Sequence, residues 1–291
     1  MTIEQHTASA GQNEQVELLL QALPYIQRFA GATVVVKFGG NAMTSPELFD
    51  QFALDIVMMH SVGLRPVVVH GGGPQIGEWL RRLGMSSEFV NGQRVTDADT
   101  LEVVQMVLIG KVNSDIVSAL NTHGPLAVGL SGQDAGLIEA EMRHVDLGFV
   151  GDVTDVNPEI LHRLVEMDLI PVISTVGSDS DGQAYNINAD AVASAVAEAL
   201  GAQKLIFLTD VPGLLRDVED PSSLITEVSV AQARELIEDG TIGGGMIPKI
   251  EGCIGAIARG VGEVHLIDGR VPHALLLELF TDAGVGTMVT M

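Results

Sequence analysis

Residues 33–40 read Thr-Val-Val-Val-Lys-Phe-Gly-Gly, and residues 66–74 read Pro-Val-Val-Val-His-Gly-Gly-Gly-Pro. Each is a short, β-branched run that stops at glycines. Runs this short, without polar alternation, fit strands buried on both faces. Four more have the same character: Leu126 to Leu130, Pro171 to Ser174, Lys204 to Thr209 and Glu263 to Ile267. Between them lie stretches with helical spacing. Leu48, Phe52, Ile56 and Met59 recur at three and four residues. So do Leu101, Val104, Leu108, Val112, Ile116 and Leu120, with Gly110 interrupting. Asn188 to Leu200 is alanine-rich and strongly helical, and Met246 to Arg259 and Pro272 to Phe280 also read as helices. Strands alternating with helices predict an α/β fold, a three-layer sandwich around a central, mostly parallel sheet. In such sheets ligands bind at the carboxyl ends of the strands.

Composition narrows the function. The 291 residues hold 38 acidic and 15 basic side chains, a formal net charge of -23. That balance argues against nucleic-acid binding and against anionic membrane surfaces. An anionic ligand would need positive charge placed locally, so the four lysines (Lys37, Lys111, Lys204 and Lys249) are each informative. Hydrophobic residues make up 46%, enough for one large α/β unit or two lobes. A lone cysteine, Cys253, forms no internal disulfide and reads as a buried small hydrophobe, with a reducing cytoplasm as the expected location. No run of about 18 uncharged apolar residues exists, so no membrane span is expected. Residues 1–13 read as a disordered tail. Glu14 to Ala30 carries Val16, Leu19, Leu20, Leu23, Ile26 and Phe29 on one helical stripe. This helix fits packing on its own domain and equally an arm against another subunit. Ser178 to Gly182, Ser-Asp-Ser-Asp-Gly, is a polar turn that fits a hinge or lobe boundary.

The glycine runs carry the chemistry. Lys37 stands at a strand end beside Gly39 and Gly40, which sets a positive charge next to bare backbone N–H groups suited to phosphate oxygens. His70-Gly71-Gly72-Gly73-Pro74 leads from a strand into a helix, with Pro74 suited to the first helical position. Glycine-rich turns feeding helix N-termini bind anions, although either run alone also fits a tight turn. No P-loop pattern and no G-x-G-x-x-G at a helix start is present. An esterase elbow is missed by one position at Gly129 to Gln133. Asn186-Ile187-Asn188-Ala189-Asp190 opens the alanine-rich helix. Asn188 suits the N-cap and Asp190 the first turn, leaving the Asn186 amide to point from a loop toward the strand ends. Gly243-Gly244-Gly245-Met246-Ile247-Pro248-Lys249 again joins glycines, a lysine and a helix. Leu208-Thr209-Asp210-Val211 is a strand end and turn, where Asp210 also fits a simple turn residue.

With Asn91-Gly92-Gln93-Arg94-Val95-Thr96, these motifs resemble the N-acetylglutamate kinase family of the amino acid kinase superfamily, from Thr33 to Val289. The resemblance implies ATP-dependent phosphorylation of the γ-carboxylate of N-acetyl-L-glutamate in arginine biosynthesis, with Mg2+ accompanying ATP and no dedicated protein metal ligand. It implies that Lys37 and Lys249 stabilise the transferring phosphoryl group and that Asp190 orients them. Gly72, Gly73, Arg94 and Asn186 would contact the amino acid, and Gly39, Gly40, Thr209 and Asp210 the nucleotide. Residues 31–180 would form the amino-acid lobe and 181–291 the nucleotide lobe. A carboxylate acceptor is already ionised at neutral pH, which agrees with the lack of a His or Cys dyad.

The amphipathic stretch at 14–30 and the block His265-Leu266-Ile267-Asp268-Gly269-Arg270, with Glu278 and Gly284 to Thr287, resemble the arginine-inhibited members. That resemblance implies an effector pocket of Tyr25, Lys204, His265, Glu278 and Gly286. It also implies a homo-oligomer, a dimer or a hexamer built as a trimer of dimers through the N-terminal helix. Two other readings stay open: a sister kinase acting on another carboxylate or phosphate, and a non-catalytic arginine sensor. Retention of both Lys37 and Lys249 argues against the sensor.

Overall fold

A computed structural model describes residues 10–90, 92–244, 246–281 and 284–291. All six expected strands lie in one sheet: β1 (Thr33–Phe38), β2 (Arg65–His70), β3 (Ala127–Ser131), β6 (Ile170–Ser174), β9 (Lys204–Thr209) and β11 (Glu263–Asp268). Two strands not expected, β10 (Glu227–Ser229) and β12 (Gly286–Thr290), complete an eight-stranded sheet among the described residues, in the order β10-β12-β11-β9-β1-β2-β6-β3. Neighbours are parallel except β11 and β12. The expected sandwich is present. Alternate residues of the buried strands feed two separate cores. Val34, Val36, Phe38, Val68 and Val172 meet α2 (Pro46–Ser61) and α10 (Ala274–Phe280) on one face. Val35, Val67, Val69, Ile173 and Leu205 meet α7 (Ala189–Ala199) and α9 (Met246–Ala258) on the other.

Helix starts follow local chemistry. Ser45 caps α2 by accepting from Leu48 N, with Pro46 just inside, and Asp97 caps α4 (Ala98–Gln105) by accepting from Thr100 N at 2.8 Å. Helix α8 (Val230–Glu238) opens on a capping box of Ser229 and Gln232. Helix α3 (Gly73–Arg82) differs: its N-cap is Gly72, with no side-chain cap.

Helix α4 continues through a π-helical segment, Met106–Asn113, into α5 (Ser114–Asn121). The run Ala98–Asn121 is long enough to cross a membrane, with a mean hydropathy of 1.4. Its apolar stripe (Leu101, Val104, Leu108, Val112, Ile116 and Leu120) is buried in the core instead, which accounts for the apolar composition.

Residues 138–187 contain a feature the sequence did not announce. β4 (Ile138–Met142), β5 (Val150–Val156), β7 (Val176–Ser178) and β8 (Ala184–Ile187) close into a small barrel in the order β8-β5-β4-β7. Ser178 to Gly182, expected as a polar turn at a hinge or lobe boundary, forms the turn between the antiparallel β7 and β8. Asp179 holds it by accepting from Asp181 N and Gln183 N at 3.0 and 2.9 Å and from the Tyr185 hydroxyl at 2.9 Å.

At the N-terminus, α1 covers Ala10–Phe29. It begins four residues ahead of the expected start, so residues 10–13 are helical rather than tail. The remainder of that tail, residues 1–9, lies outside the described residues, as do Asn91 and Gly245 of the quoted motifs. α6 (Glu159–Glu166) completes the α-helices among the described residues.

Candidate active site

The site lies where the topology predicts, at the carboxyl ends of β1 and β2 and the N-termini of α3 and α7. Asn188 caps α7 by accepting from Asp190 N at 2.8 Å and Ala191 N at 3.2 Å. The cap fixes Asp190 in the first turn. Asn188→Ala is expected to cost about 1 kcal/mol and to lower the melting temperature by about 2 °C, as calorimetry would show.

The Asp190 carboxylate bridges two ammonium groups. Lys37 Nζ on β1 stands 3.1 Å from Oδ1, and Lys249 Nζ on α9 stands 3.0 Å from Oδ2. Burial resists ionisation of Asp190, but attraction to Lys37 and Lys249 and their hydrogen bonds outweigh it, so its pKa is held below the usual carboxylate range. The result is two cations from different elements, aligned by one anion.

Beside this triad opens a cleft of about 300 Å3 lined by Lys37, Gly39, Gly40, Gly72, Gly73, Arg94, Asn186 and Asp190. A larger groove of about 870 Å3 shares Asp190 and adds Lys249, extending along α7 and α9. The glycines have distinct reasons. A Cβ on Gly39 would meet Lys37 Nζ at 2.8 Å, and one on Gly40, where φ is +70°, would meet both Asp210 carboxylate oxygens below 3.0 Å. A Cβ on Gly72 would strike Leu108 Cδ2 at 2.6 Å, whereas Gly73 faces open space. With no side-chain cap on α3 and no N–H on Pro74, the first N–H groups of that helix are left for a ligand acceptor.

Arg94 is 8% exposed. Its Nη2 donates to Gly73 O at 3.0 Å, its Nη1 to the Ser87 hydroxyl, and its guanidinium lies 4.7 Å from the Phe89 ring centre. No carboxylate lies within ion-pair distance of it among the described residues, so it is not held by a surface ion pair. Burial lowers its pKa. A buried cation without an anion is costly, and the cleft it lines suits a ligand carboxylate. Asn186 sits on β8 rather than in a loop, and its amide donates to Thr96 Oγ1 at 3.2 Å, whose hydroxyl in turn donates to Arg94 O at 2.9 Å.

Thr209 ends β9, beside β1 in the sheet, and Asp210 follows it; neither lines either cavity. The Thr209 hydroxyl is used within its own turn, donating to Val211 O at 2.8 Å. Asp210 abuts Gly40. Ser87 and Phe89, which seat Arg94, and Thr96, which links Asn186 to the Arg94 carbonyl, belong to the site without any motif assigning them a role there. A sequence signal existed, because an Asn-Gly pair between short runs favours a hairpin, and Phe89 pairs with Arg94 across two short antiparallel strands.

The effector residues lie elsewhere. Lys204 opens β9 at its amino end, five residues before Thr209 and so roughly 17 Å away. Lys204 Nζ stands 3.1 Å from His265 Nε2 and is hydrogen-bonded to Glu263; His265 Nδ1 meets Glu278 Oε1 at 2.7 Å. Glu278 Oε2 accepts from Val285 N at 2.7 Å, so Glu278 is a buried, engaged carboxylate and not a solvated helix residue. Burial opposes its ionisation, but His265 and backbone donors hold its pKa low. The hydrogen bond from His265, supported by Lys204 against burial, brings Glu263 to about 2. Phe29 of α1 lies under Lys204, with 4.7 Å between Nζ and the ring centre, and Tyr25 of the same helix packs half-buried on the core. Gly286 needs no ligand to explain it: a Cβ there would meet Leu266 O at 2.2 Å. Lys111 makes an exposed i,i+4 pair with Asp115, worth a few tenths of a kcal/mol, about 0.3–0.5. Cys253 is buried, with its thiol pushed up to about 12 chiefly by burial.

A mostly parallel sheet with glycine loops at its strand ends, and with Lys37 of a strand and Lys249 of a helix paired on one carboxylate, defines a phosphoryl-transferring α/β protein. The model of the amino acid kinase family matches residues 32–268, and the chain belongs to that family and, within it, to the acetylglutamate kinases. It is 56% identical over 276 residues to the acetylglutamate kinase of Nostoc sp. strain PCC 7120, covering 94% of this chain and 93% of that one. The acetylglutamate kinase of Desulfitobacterium hafniense is 53% identical over 287 residues, covering 94% and 96%. Among solved structures, the N-acetylglutamate synthase of Neisseria gonorrhoeae, complexed with coenzyme A and N-acetyl-glutamate, matches with a TM-score of 0.83 at 25% identity. That match covers 95% of this chain and 63% of the synthase.

Proposed function

We propose that the protein transfers the γ-phosphoryl group of ATP to the γ-carboxylate of N-acetyl-L-glutamate, forming an acyl phosphate for arginine biosynthesis. The observation that carries this reading is the Lys37–Asp190–Lys249 bridge at the mouth of a cleft holding an anion-free Arg94. Arg94 and the N–H groups of Gly72 and Gly73 hold the amino acid, helped by Asn186. Gly39, Gly40, Thr209 and Asp210 flank the nucleotide. Residues 31–180 thus supply most of the amino-acid site, and residues 181–291 supply Lys249 and the nucleotide side.

The acceptor carboxylate is ionised at neutral pH, with an ordinary pKa near 4.3, so no general base is needed. One of its oxygens forms the new P–O bond as the bond to the β,γ-bridging oxygen breaks, and ADP leaves with that electron pair. Two anions must be held in line while charge shifts onto the leaving group. Lys37 and Lys249 neutralise that charge, and Asp190 keeps them from drifting apart. Among the described residues no group of three or more His, Cys, Asp or Glu could hold a metal ion. Mg2+ would enter with the ATP phosphates.

Trapping the acyl phosphate with hydroxylamine tests the reading. Hydroxamate is expected only with ATP and N-acetyl-L-glutamate together. Faster product formation from another amino acid or carbamate would move the protein to a sister kinase. No product, with arginine still bound, would make it a sensor.

Regulation by arginine is the finer part of the proposal. Lys204, His265 and Glu278 form a buried, charged cluster where α1 meets α10, remote from the catalytic triad. Glu278 offers a carboxylate for a guanidinium, and α1 couples that pocket to assembly of dimers into a hexamer. Deleting residues 1–30 is expected to leave dimers by light scattering and to blunt inhibition by arginine. A truncated protein that stays hexameric removes the assembly role of α1.

A further inference from the structure

The glycine loop after β2 rests on the π-helical segment Met106–Asn113. π-winding is rare and concentrates at functional sites. Here it presents three side chains to the loop's underside. Leu108 and Val112 fill the space where a Gly72 side chain would go: a Cβ there would lie 2.6 Å from Leu108 Cδ2 and 3.3 Å from Val112 Cγ2. Asn113, which is 6% exposed, ends the segment. Its Nδ2 lies 2.9 Å from Val172 O, 3.4 Å from Leu130 O and 3.0 Å from His70 Nε2.

The Val172 carbonyl only accepts, so the Asn113 NH2 group must face it; its two hydrogens serve the two short contacts, Val172 O and His70 Nε2, with Leu130 O a longer secondary acceptor. The atom it turns to His70 is then a donor, and His70 Nε2 must be the unprotonated acceptor. The ring proton sits on Nδ1, which donates to Gly71 O at 2.9 Å. Complete burial agrees: it lowers the His70 pKa to about 4 against the stabilising bond to Gly71. Gly71 N in turn donates to Phe38 O at 3.0 Å, at the end of the strand that carries Lys37. Room for this arrangement comes from Gly129, where a Cβ would lie 2.0 Å from Asn113 Oδ1.

We propose that Asn113 and His70 are positioning residues for the amino-acid loop. The Asn113 amide fixes one neutral tautomer of His70, and His70 pins the Gly71 carbonyl, which keeps the Gly72 and Gly73 N–H groups turned to the cleft. The inference rests on the proposed amino-acid role of that loop.

Asn113→Leu and His70→Leu, near in volume but without the hydrogen bonds, are expected to raise KM for N-acetyl-L-glutamate about tenfold. KM for ATP is expected to stay within about twofold, since neither variant touches Lys37, Lys249 or Asp190. His70→Asn keeps a donor near the Nδ1 position and is expected to recover most of the loss. Nitrogen NMR of the labelled wild-type protein is expected to show His70 neutral and protonated at Nδ1. An Nε2-protonated ring, or variants in which both KM values stay unchanged while kcat follows only the loss of folded protein, would overturn the proposal. Failure of the functional reading is separate: it would appear as absent hydroxamate in the wild type, and the NMR result stands without it.

Discussion

Lys37→Ala and Lys249→Ala are each expected to lower kcat by about 10²–10³-fold, the usual loss when one preorganised donor to developing charge is removed. KM for ATP should change far less. The reason lies in the geometry. Each ammonium is held about 3 Å from one oxygen of the same carboxylate, so neither must reorganise as charge moves to the leaving oxygen. Removing Lys37 does further harm: Asp190 keeps one partner, and the remaining lysine loses the alignment that the pair imposed. Steady-state kinetics with hydroxamate detection would decide the matter, and near-normal turnover in either variant removes the proposed role.

Arg94→Ala is expected to act on the other substrate. Truncating one member of a buried, hydrogen-bonded charge pair costs about 2–5 kcal/mol, which corresponds to roughly 30- to several-thousand-fold in KM for N-acetyl-L-glutamate. Turnover at saturation should fall much less. Arg94→Lys should not restore affinity, because the guanidinium uses separate nitrogens for Gly73 O and the Ser87 hydroxyl while stacking on Phe89, a combination a lysine cannot reproduce. An unchanged KM would place the substrate carboxylate elsewhere.

The buried strands were legible because parallel sheets demand apolar side chains on both faces, and β1 and β9 fall on the residues expected of them. The barrel was not. Ile138–Met142 places Glu139 and Glu141 between apolar residues, and Val150–Val156 mixes Gly151, Asp152, Thr154 and Asp155 among its valines without a regular period, and the barrel closes only when these strands pair with Val176–Ser178 and Ala184–Ile187 further along the chain. The lysine triad could be anticipated because Lys37, Asp190 and Lys249 each sit in a glycine or capping motif. Asn113 could not. In sequence it is a polar residue inside an apolar stripe, and its inward aim depends on π-winding, which residue spacing does not encode. The burial of Arg94 depends on Phe89 and Ser87 in the same way, through a hairpin rather than a motif.

The sheet order carries a consequence for synthesis. β10 pairs with β12, and β12 lies between β10 and β11. In chain order, however, β12 is made about 60 residues after β10. At elongation rates of about 5–20 residues per second, Glu227–Ser229 waits roughly 3–12 s before its neighbour emerges. An unpaired strand exposed for that long invites pairing with another nascent chain. Its length of three residues, with a charge at Glu227, is the kind of edge that resists such pairing. The brevity of this strand thus protects the chain during translation as well as ending the sheet.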